Sequence, residues 1–321
     1  MPKTAVVALG GNAITRSGQS GTYTEQAENA RAMARAVCAL RDAGWNVVLV
    51  HGNGPQVGNL AIQQEEAADI VPALPLHCVN SMTQGQLGSL ITLALLAEGH
   101  GRLTGVVSVV THVIVDPADP AFGKPTKPVG PFFSEDQART LAADRGWEIV
   151  RDGDRGHRRV VPSPKPIGIV EVDAIRALID QHMIVVAGGG GGIPVIAGDR
   201  GLEGIDAVID KDFTAQRIAT SVNAEALVLV TEVPKVQLDF GTPTQRALTD
   251  VTVAEAMKHL DDGQFPDGSM GPKVRAALRF VREGGTTAVI TTADRAGPSL
   301  DAGDVLPDDE VGTRIVAVAR R

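Results

Sequence analysis

Short apolar runs and amphipathic segments alternate along most of the chain. The apolar runs predict strands at Thr4–Leu9, Asn46–Val50, Thr104–Val110, Met183–Ala187, Ala226–Thr231 and Thr287–Thr291. The amphipathic segments predict helices at Glu25–Ala43, from Pro55 onward, and at Ser81–Glu98, Glu171–Gln181, Asp212–Ser221, Val253–Leu260 and Lys273–Val281. Because the strands are apolar throughout, they are expected to be buried on both faces. The pattern therefore predicts an α/β fold, an open αβα sandwich with a mostly parallel central sheet.

One segment interrupts this alternation. Asp116–Phe133 is rich in proline and glycine, which are disfavoured inside helices and central strands. The pair Ser134 and Gln137 then forms a capping-box pattern that predicts a short helix, and a hairpin pattern runs from Trp147 to Val161. Residues 116–166 are therefore expected to form a small protruding subdomain and not an unstructured insertion.

Composition limits the functions open to the chain. Its 321 residues are 43% apolar and carry a net charge of −8, whereas nucleic-acid binding requires a basic face. The apolar runs are too short to span a membrane, and Met1–Leu9 lacks the basic flank of a signal peptide. We therefore expect a cytoplasmic protein without nucleic-acid or membrane contacts. Cys38 and Cys78 fit neither a disulfide framework nor a metal motif and are expected to be structural thiols.

The first two predicted strands each end in a loop of glycine and asparagine. These loops contain Gly10, Gly11 and Asn12, and then Gly52, Asn53 and Gly54. The carboxyl ends of parallel strands face one crevice, where backbone N–H groups bind anions and asparagine side chains add donors. Two such loops together favour a small-anion site over two ordinary turns. The neighbouring His51 is expected to be a hydrogen-bonded structural group and not a base.

Two later loops place lysines where phosphates are expected to bind. Lys211 lies between Asp210 and Asp212, a triplet that also suits a solvated surface cluster. Asp212, however, falls in the first turn of a predicted helix, where a carboxylate is stabilised and can orient lysines. Lys273 opens another helix, where a cation is unfavourable unless an anion binds. The glycines Gly188–Gly192 allow close approach, either to a phosphate or to a packed helix.

Motif absences narrow the chemistry further. The P-loop pattern G-x-x-x-x-G-K-[ST] does not occur, and the dinucleotide pattern G-x-G-x-x-G is missing after the first strand. A nicotinamide-dependent dehydrogenase is therefore a weaker alternative. Phosphoryl transfer needs positive charge along the line from donor to acceptor, which lysines and backbone amides supply. The residues favour transfer of the terminal phosphoryl group of ATP to a small anionic acceptor, which needs no general base.

Seven motifs in sequence order resemble those of the carbamate kinases, a branch of the amino acid kinase family. The motifs are Val7–Ala13, His51–Gly58, Phe122–Phe132, Val161–Pro166, Gly189–Val195, Val208–Asp212 and Gly268–Lys273. Many other members of the family carry a lysine where this chain has Ala8, and carbamate kinases share that departure. The resemblance implies reversible transfer between ATP and carbamate, giving ADP and carbamoyl phosphate, with Mg²⁺ neutralising the phosphates. It also implies a role in ATP synthesis during arginine or purine breakdown.

The same resemblance implies roles for individual residues. The substrate-binding set is Gly10, Gly11, Asn12, Gly52, Asn53 and Gly54; the catalytic set is Lys127, Lys211, Asp212 and Lys273; and the nucleotide-binding set is Thr231, Met270 and Gly271. No residue is assigned to a metal. Lys127 is expected to reach over the site from the protruding subdomain as a lid, whereas Lys165 also suits a structural role at its base. Residues 1–225 would form the acceptor lobe and 226–321 the nucleotide lobe.

Several alternatives stay open on the sequence. The resemblance implies a homodimer, and the helix at Gln84–Leu96 suits either its interface or an ordinary core position. Another small-carboxylate kinase of the same fold remains a rival function. A second rival is a non-catalytic nucleotide sensor, against which the presence of Lys211, Asp212 and Lys273 argues.

Overall fold

The centre of the molecule is a large, mostly parallel β-sheet. A computed structural model of the chain describes residues 2–10, 13–16, 18–153, 156–266, 268–301 and 310–318. Across the eight-stranded sheet within these residues the order is β15 (Asp250–Thr252), β17 (Thr313–Val316), β16 (Thr287–Thr291), β12 (Ala226–Val230), β1 (Thr4–Ala8), β2 (Asn46–Val50), β9 (Ile184–Val186) and β3 (Val106–Ser108). Neighbouring strands are parallel apart from the antiparallel pair β16 and β17. The predicted mostly parallel sheet is confirmed.

Helices cover both faces of this sheet. One face packs against α1 (Tyr23–Asp42), α3 (Leu76–Gly99) and α9 (Ala296–Asp301), and the other against α5 (Val172–Asp180), α6 (Lys211–Ser221), α7 (Val253–Asp261) and α8 (Met270–Arg282). Alternate residues of one strand serve the two cores: Val6 and Ala8 join one apolar cluster, while Ala5 and Val7 join the other. This burial on both faces is why the strands are apolar throughout, and it confirms the αβα sandwich.

A second, four-stranded sheet was not predicted. Its order is β11 (Gly201–Gly204), β10 (Ile193–Gly198), β4 (His112–Val115) and β8 (Pro166–Ile169). These strands are short, and glycines or prolines occupy many of their positions, so the local pattern resembled loops. The sheet matters for the site because β10 directly follows the five-glycine segment.

The protruding subdomain has its own three-stranded sheet, in the order β5 (Lys127–Phe133), β7 (His157–Val161) and β6 (Ile149–Arg151). The predicted hairpin is the pair β6 and β7, and the helix α4 (Glu135–Arg145) begins with the capping box at Ser134. β5 had been expected to be irregular. It is instead an edge strand, the position that tolerates Pro128 and Pro131.

The remaining elements complete the description. They are α2 (Gly54–Glu66), β13 (Gln237–Leu238) and β14 (Arg246–Ala247). Helix α3 begins five residues before its predicted start at Ser81, and β17 was not predicted.

None of the described helices is both long and apolar enough to cross a membrane. Cys38 is buried, and Cys78 is half-buried; both thiols are free. The division into lobes at residue 226 stays a prediction.

Candidate active site

A cleft of about 1270 Å³ opens where strands β1 and β12 end and helices α6 and α8 begin. Seven of the predicted site residues line it: Gly10, Lys127, Lys211, Asp212, Thr231, Met270 and Lys273. Gly10 follows β1, and a Cβ added to it would lie 3.1 Å from the carbonyl oxygen of Val230, the last residue of β12. Because parallel strands end at the same edge of the sheet, residues far apart in sequence meet at this crevice.

A single buried carboxylate holds two lysines at one end of the cleft. The Nζ of Lys211 donates to Oδ1 of Asp212 and the Nζ of Lys273 donates to Oδ2, both at 2.9 Å. The three side chains are only 14%, 10% and 4% exposed for Lys211, Lys273 and Asp212. The cluster carries a net positive charge beside the N-termini of α6 and α8, whose dipoles add to it. It is therefore suited to bind an anion with several charges.

The ionisation of this cluster follows from its geometry. Burial alone would raise the pKa of Asp212, but Lys211 and Lys273 outweigh burial and lower it to about 2. Burial opposes the charge of Lys211, yet Asp212 and Asp210 together raise its pKa. Burial and the neighbouring Lys211 lower the pKa of Lys273.

Lys127 brings a third ammonium group to the cleft from the protruding subdomain. Its Nζ donates to Oδ2 of Asp210 at 3.0 Å, and its side chain is 36% exposed. The other oxygen of Asp210 accepts from the backbone N–H of Asp212 at 3.0 Å, which makes Asp210 the N-cap of α6. Lys127 is the first residue of β5, at the base of the subdomain.

Uncharged side chains form another part of the cleft lining. They include Met270, Phe240, Phe265 and Gln237, and the Phe240 ring is 71% exposed. The backbone of Thr231 is fixed by its N–H donating to the carbonyl of Thr291 at 2.8 Å. An apolar surface with an exposed aromatic ring suits a flat heterocycle. The predicted nucleotide residue Gly271 does not line the cleft; its N–H donates to the carbonyl of Pro266.

The second glycine loop lies next to the first but does not line the cleft. Ala8 of β1 pairs with Val50 of β2, so the two loops leave the sheet side by side. The Nδ2 of Asn53 donates to Oδ1 of Asn80 at 2.6 Å and to Oγ1 of Thr83 at 2.8 Å. The Asn53 amide therefore braces the protein, and its contact with a ligand stays a prediction. Gly11 and Asn12 lie outside the described residues.

The comparisons with known proteins agree with this geometry. Residues 3–292 match the model of the amino acid kinase family. The carbamate kinase of Thermococcus kodakarensis is 44% identical over 319 residues, which cover 98% of this chain and 99% of the relative. The carbamate kinase from Giardia lamblia bound to AMP-PNP superposes with a TM-score of 0.90 at 38% identity and 98% coverage of both chains. The chain belongs to the carbamate kinases of the amino acid kinase family. It is therefore a kinase.

His51 has a structural role in this member of the family. Its ring is 1% exposed and its Nδ1 donates to the carbonyl of Gly52 at 3.0 Å. Burial lowers its pKa to about 4, so the ring is neutral at pH 7. The expected hydrogen-bonded position of His51 is observed, and the expectation that it is not a base stays a prediction. Lys165 is likewise structural at its backbone, because its N–H donates to Asp119 at 2.9 Å and closes the base of the subdomain.

The sequence did not indicate the buried amides of α3. Gln84 donates to the carbonyls of Gly189 and Thr111 at 3.1 and 3.2 Å, and it accepts from the N–H of Thr111. Asn80 donates to the carbonyl of Gly192 at 2.6 Å. Together these side chains fix the five-glycine segment. The helical spacing could have indicated their burial, because Asn80 and Gln84 share a helical face with the apolar Leu87 and Ile91.

The five-glycine segment lies in the interior and packs against neighbouring segments of the protein. Every residue of Gly188–Gly192 is buried, and none lines the cleft. A Cβ on Gly191 would lie 1.9 Å from the carbonyl oxygen of Ile209, and one on Gly190 would lie 2.2 Å from Nδ2 of Asn53. The glycines are needed for close packing against the segments that carry the site.

Carboxylate side chains line the cleft at Asp210, Asp212, Glu232 and Asp294. Among the described residues, no three His, Cys, Asp or Glu side chains are grouped to hold a metal ion. Both oxygens of Asp212 and both of Asp210 already accept hydrogen bonds.

Proposed function

We propose that the chain transfers a phosphoryl group reversibly between ATP and carbamate, giving ADP and carbamoyl phosphate. The observation that carries the proposal is the cluster of Lys211, Asp212 and Lys273, buried at the helix ends of the cleft. Relatives that are 44% identical over nearly the whole chain are carbamate kinases. Three lysines around one cleft supply the positive charge that phosphoryl transfer requires.

The roles proposed for the residues follow from charge and position. Lys211, Lys273 and Lys127 would neutralise the phosphoryl group in flight, while Asp212 keeps the two buried lysines in place. Gly10 lines the cleft at the end of β1. It would hold carbamate or the phosphoryl group with its backbone, together with Gly11, Asn12, Gly52, Asn53 and Gly54. Carbamate is already an anion, so the neutral His51 is not required as a base.

ATP is proposed to lie along the cleft from the lysines to Phe240. The relative from Giardia lamblia binds AMP-PNP, an ATP analogue, in a fold that matches this one closely. Thr231 and Met270 would contact the nucleoside, with Gln237 and the Phe240 ring beside the base. Mg²⁺ would arrive on the phosphates and supply charge neutralisation there. Asp210 and Asp212 lie among the lysines at that position, where their oxygens accept from the lysines and from the start of α6.

Three further expectations complete the proposal. The physiological direction would be ATP synthesis in arginine or purine breakdown, in the cytoplasm. Residues 1–225 would bind the acceptor and 226–321 the nucleotide. The protein would be a homodimer; on α3, Gln84, Leu87 and Ile91 are buried, but Leu93 and Leu96 are 59% and 48% exposed and could form the interface. Sedimentation velocity would test the dimer, since a monomer at micromolar concentration would contradict it.

The decisive experiment measures ATP formed from ADP, Mg²⁺ and carbamoyl phosphate. Carbamate, acetylglutamate and aspartate are offered in the reverse direction as competing acceptors. Turnover with carbamate and none with the other two would support the proposal. Turnover with another acid alone would identify a different small-carboxylate kinase, and tight ATP binding without any turnover would identify a nucleotide sensor.

A further inference from the structure

Asp210 connects two parts of the site through its two carboxylate oxygens. Oδ1 accepts from the backbone N–H of Asp212, and Oδ2 accepts from Nζ of Lys127, both at 3.0 Å. The first bond caps α6, which begins with the cluster lysine Lys211. The second bond reaches the protruding subdomain, 83 residues away in the sequence. One side chain thus joins the start of α6 to the subdomain.

A second contact joins the same two segments. Lys127 pairs with Val161 across the subdomain sheet, and the next residue, Pro162, accepts from the N–H of Val208 at 3.0 Å. Segment 208–210 is therefore attached to the base of the subdomain at both ends. The backbone bond sets the position of the chain, while the Lys127–Asp210 pair sets the direction of the lysine side chain.

Charge makes the direction of Lys127 depend on Asp210. Lys127, Lys211 and Lys273 bring three positive charges to the cleft, and within this group Asp210 and Asp212 bring two negative charges. Asp212 is already shared by the two buried lysines. Without the charge of Asp210, repulsion from the other ammonium groups would favour Lys127 rotamers that point into solvent, and its side chain is 36% exposed and free to turn outward.

We propose that Asp210 is a positioning residue, which holds Lys127 at the cleft and so couples the protruding subdomain to the catalytic lysines. The kinetic part of this proposal rests on the proposed function. A residue placed about 1 Å away from its working position can cost about 10²-fold in rate. The pair thus prepares Lys127 before substrates bind.

The test separates the charge of Asp210 from its helix cap. Asp210→Asn keeps an oxygen that can cap α6, because asparagine and aspartate are equally good N-caps. We expect the kcat of Asp210→Asn to fall between about 10- and 100-fold with little change in Tm. In a Lys127→Ala background the same substitution should cause no further fall. Asp42→Asn, which removes a carboxylate paired with Arg102 on an exposed surface, is the matched control and should leave kcat unchanged.

Two kinetic outcomes would overturn the proposal. An equal fall in kcat with and without Lys127 would show that Asp210 acts by another route. A raised half-saturating Mg²⁺ concentration in Asp210→Asn, present also in the Lys127→Ala background, would make Asp210 a metal ligand instead.

A readout without turnover keeps the proposal testable if the chain proves not to use carbamoyl phosphate. Hydrogen–deuterium exchange of the substrate-free protein reports on residues 126–133 and 157–162. We expect faster exchange there in Asp210→Asn and in Lys127→Ala, and no additional increase in the double variant. Unchanged exchange in Asp210→Asn would refute the coupling whatever the substrate is, whereas a silent wild-type assay refutes only the proposed function.

Discussion

Lys273 donates to Asp212 across 2.9 Å although 61 residues separate them in the sequence. The contact joins the first turns of α6 and α8, two helices that pack on the same face of the central sheet. Each helix start alone would be an unfavourable place for a lysine. The carboxylate of Asp212 offsets this cost by accepting from both lysines. The three side chains together still carry a net positive charge that can attract an anionic ligand.

Asp212→Asn should destabilise the fold as well as the site. Two buried ammonium groups would lose the charged carboxylate to which both donate, and breaking a buried pair typically costs about 3–5 kcal/mol. Chemical denaturation at pH 7 measures the loss in the free energy of unfolding. A loss below about 1 kcal/mol would contradict the structural role given to this carboxylate.

The same variant predicts a pH dependence. The folded-state pKa of Asp212 is lowered to about 2, so the stability that its charge provides is present above pH 4 and lost as the pH falls through 2. The difference in the free energy of unfolding between wild type and Asp212→Asn should therefore shrink between pH 4 and pH 2. A difference that stays constant across this interval would speak against the ionised pair.

Lys273→Ala should reduce phosphoryl transfer by about 10²-fold, the usual effect of removing one preorganised donor to the transition state. Lys258→Ala, at an exposed position of α7, is the matched control and should keep the wild-type rate. Initial rates of ATP formation measure both. Equal rates for Lys273→Ala and wild type would remove this lysine from the mechanism.

His51 should make the fold sensitive to mild acid. Burial lowers its pKa to about 4. Between this pH and the ordinary value of 6.5, the ring binds a proton in the unfolded chain but not in the folded protein. Its contribution is complete above pH 6.5 and is lost as the pH falls through 4, at most about 3 kcal/mol. Unfolding free energies from pH 7 to 4 should fall less steeply for His51→Gln than for wild type. His100→Asn, at an exposed histidine, should keep the wild-type slope.

Gly190→Ala should disrupt the interior beside the site. The added Cβ would lie 2.2 Å from Nδ2 of Asn53 and 2.5 Å from Oδ1 of Asn80, and the backbone has φ +66°. Overpacking and lost hydrogen bonds should cost about 3 kcal/mol or more. Gly146→Ala is matched in backbone, with φ +65°, but its Cβ meets nothing within 4 Å. Thermal unfolding should show a much smaller loss there, about 1 kcal/mol.

Local pattern predicted the elements that bury continuous apolar surface. Strands such as Asn46–Val50 and Thr287–Thr291 coincide with their predicted bounds because all their residues except Thr287 are buried. β10 and β4 were not predicted. Their pairing connects segments about 80 residues apart, which a local sequence pattern does not show. The proline-rich β5 escaped because edge position is a property of the sheet and not of the strand.

The sequence predicted the charged residues of the site, but it did not predict the hydrogen bonds that hold them and the neighbouring loops in place. The family resemblance and the position at helix starts were enough to select Lys211, Asp212 and Lys273. Asp210 was grouped with a solvated triplet, because a helix cap and an ion pair across 83 residues look alike in a sequence. The hydrogen bonds of Asn53 to Asn80 and Thr83 were not predicted, because a loop pattern does not show which neighbours use its amide.

The five-glycine segment has consequences for protein engineering. Its course is fixed by side chains on other segments, mainly Asn80 and Gln84 of α3 and Thr214 of α6. Random substitution within the segment would therefore yield mostly unfolded variants and little change of specificity. Libraries aimed at reshaping this region should vary the supporting amides and hydroxyls together and leave every glycine untouched.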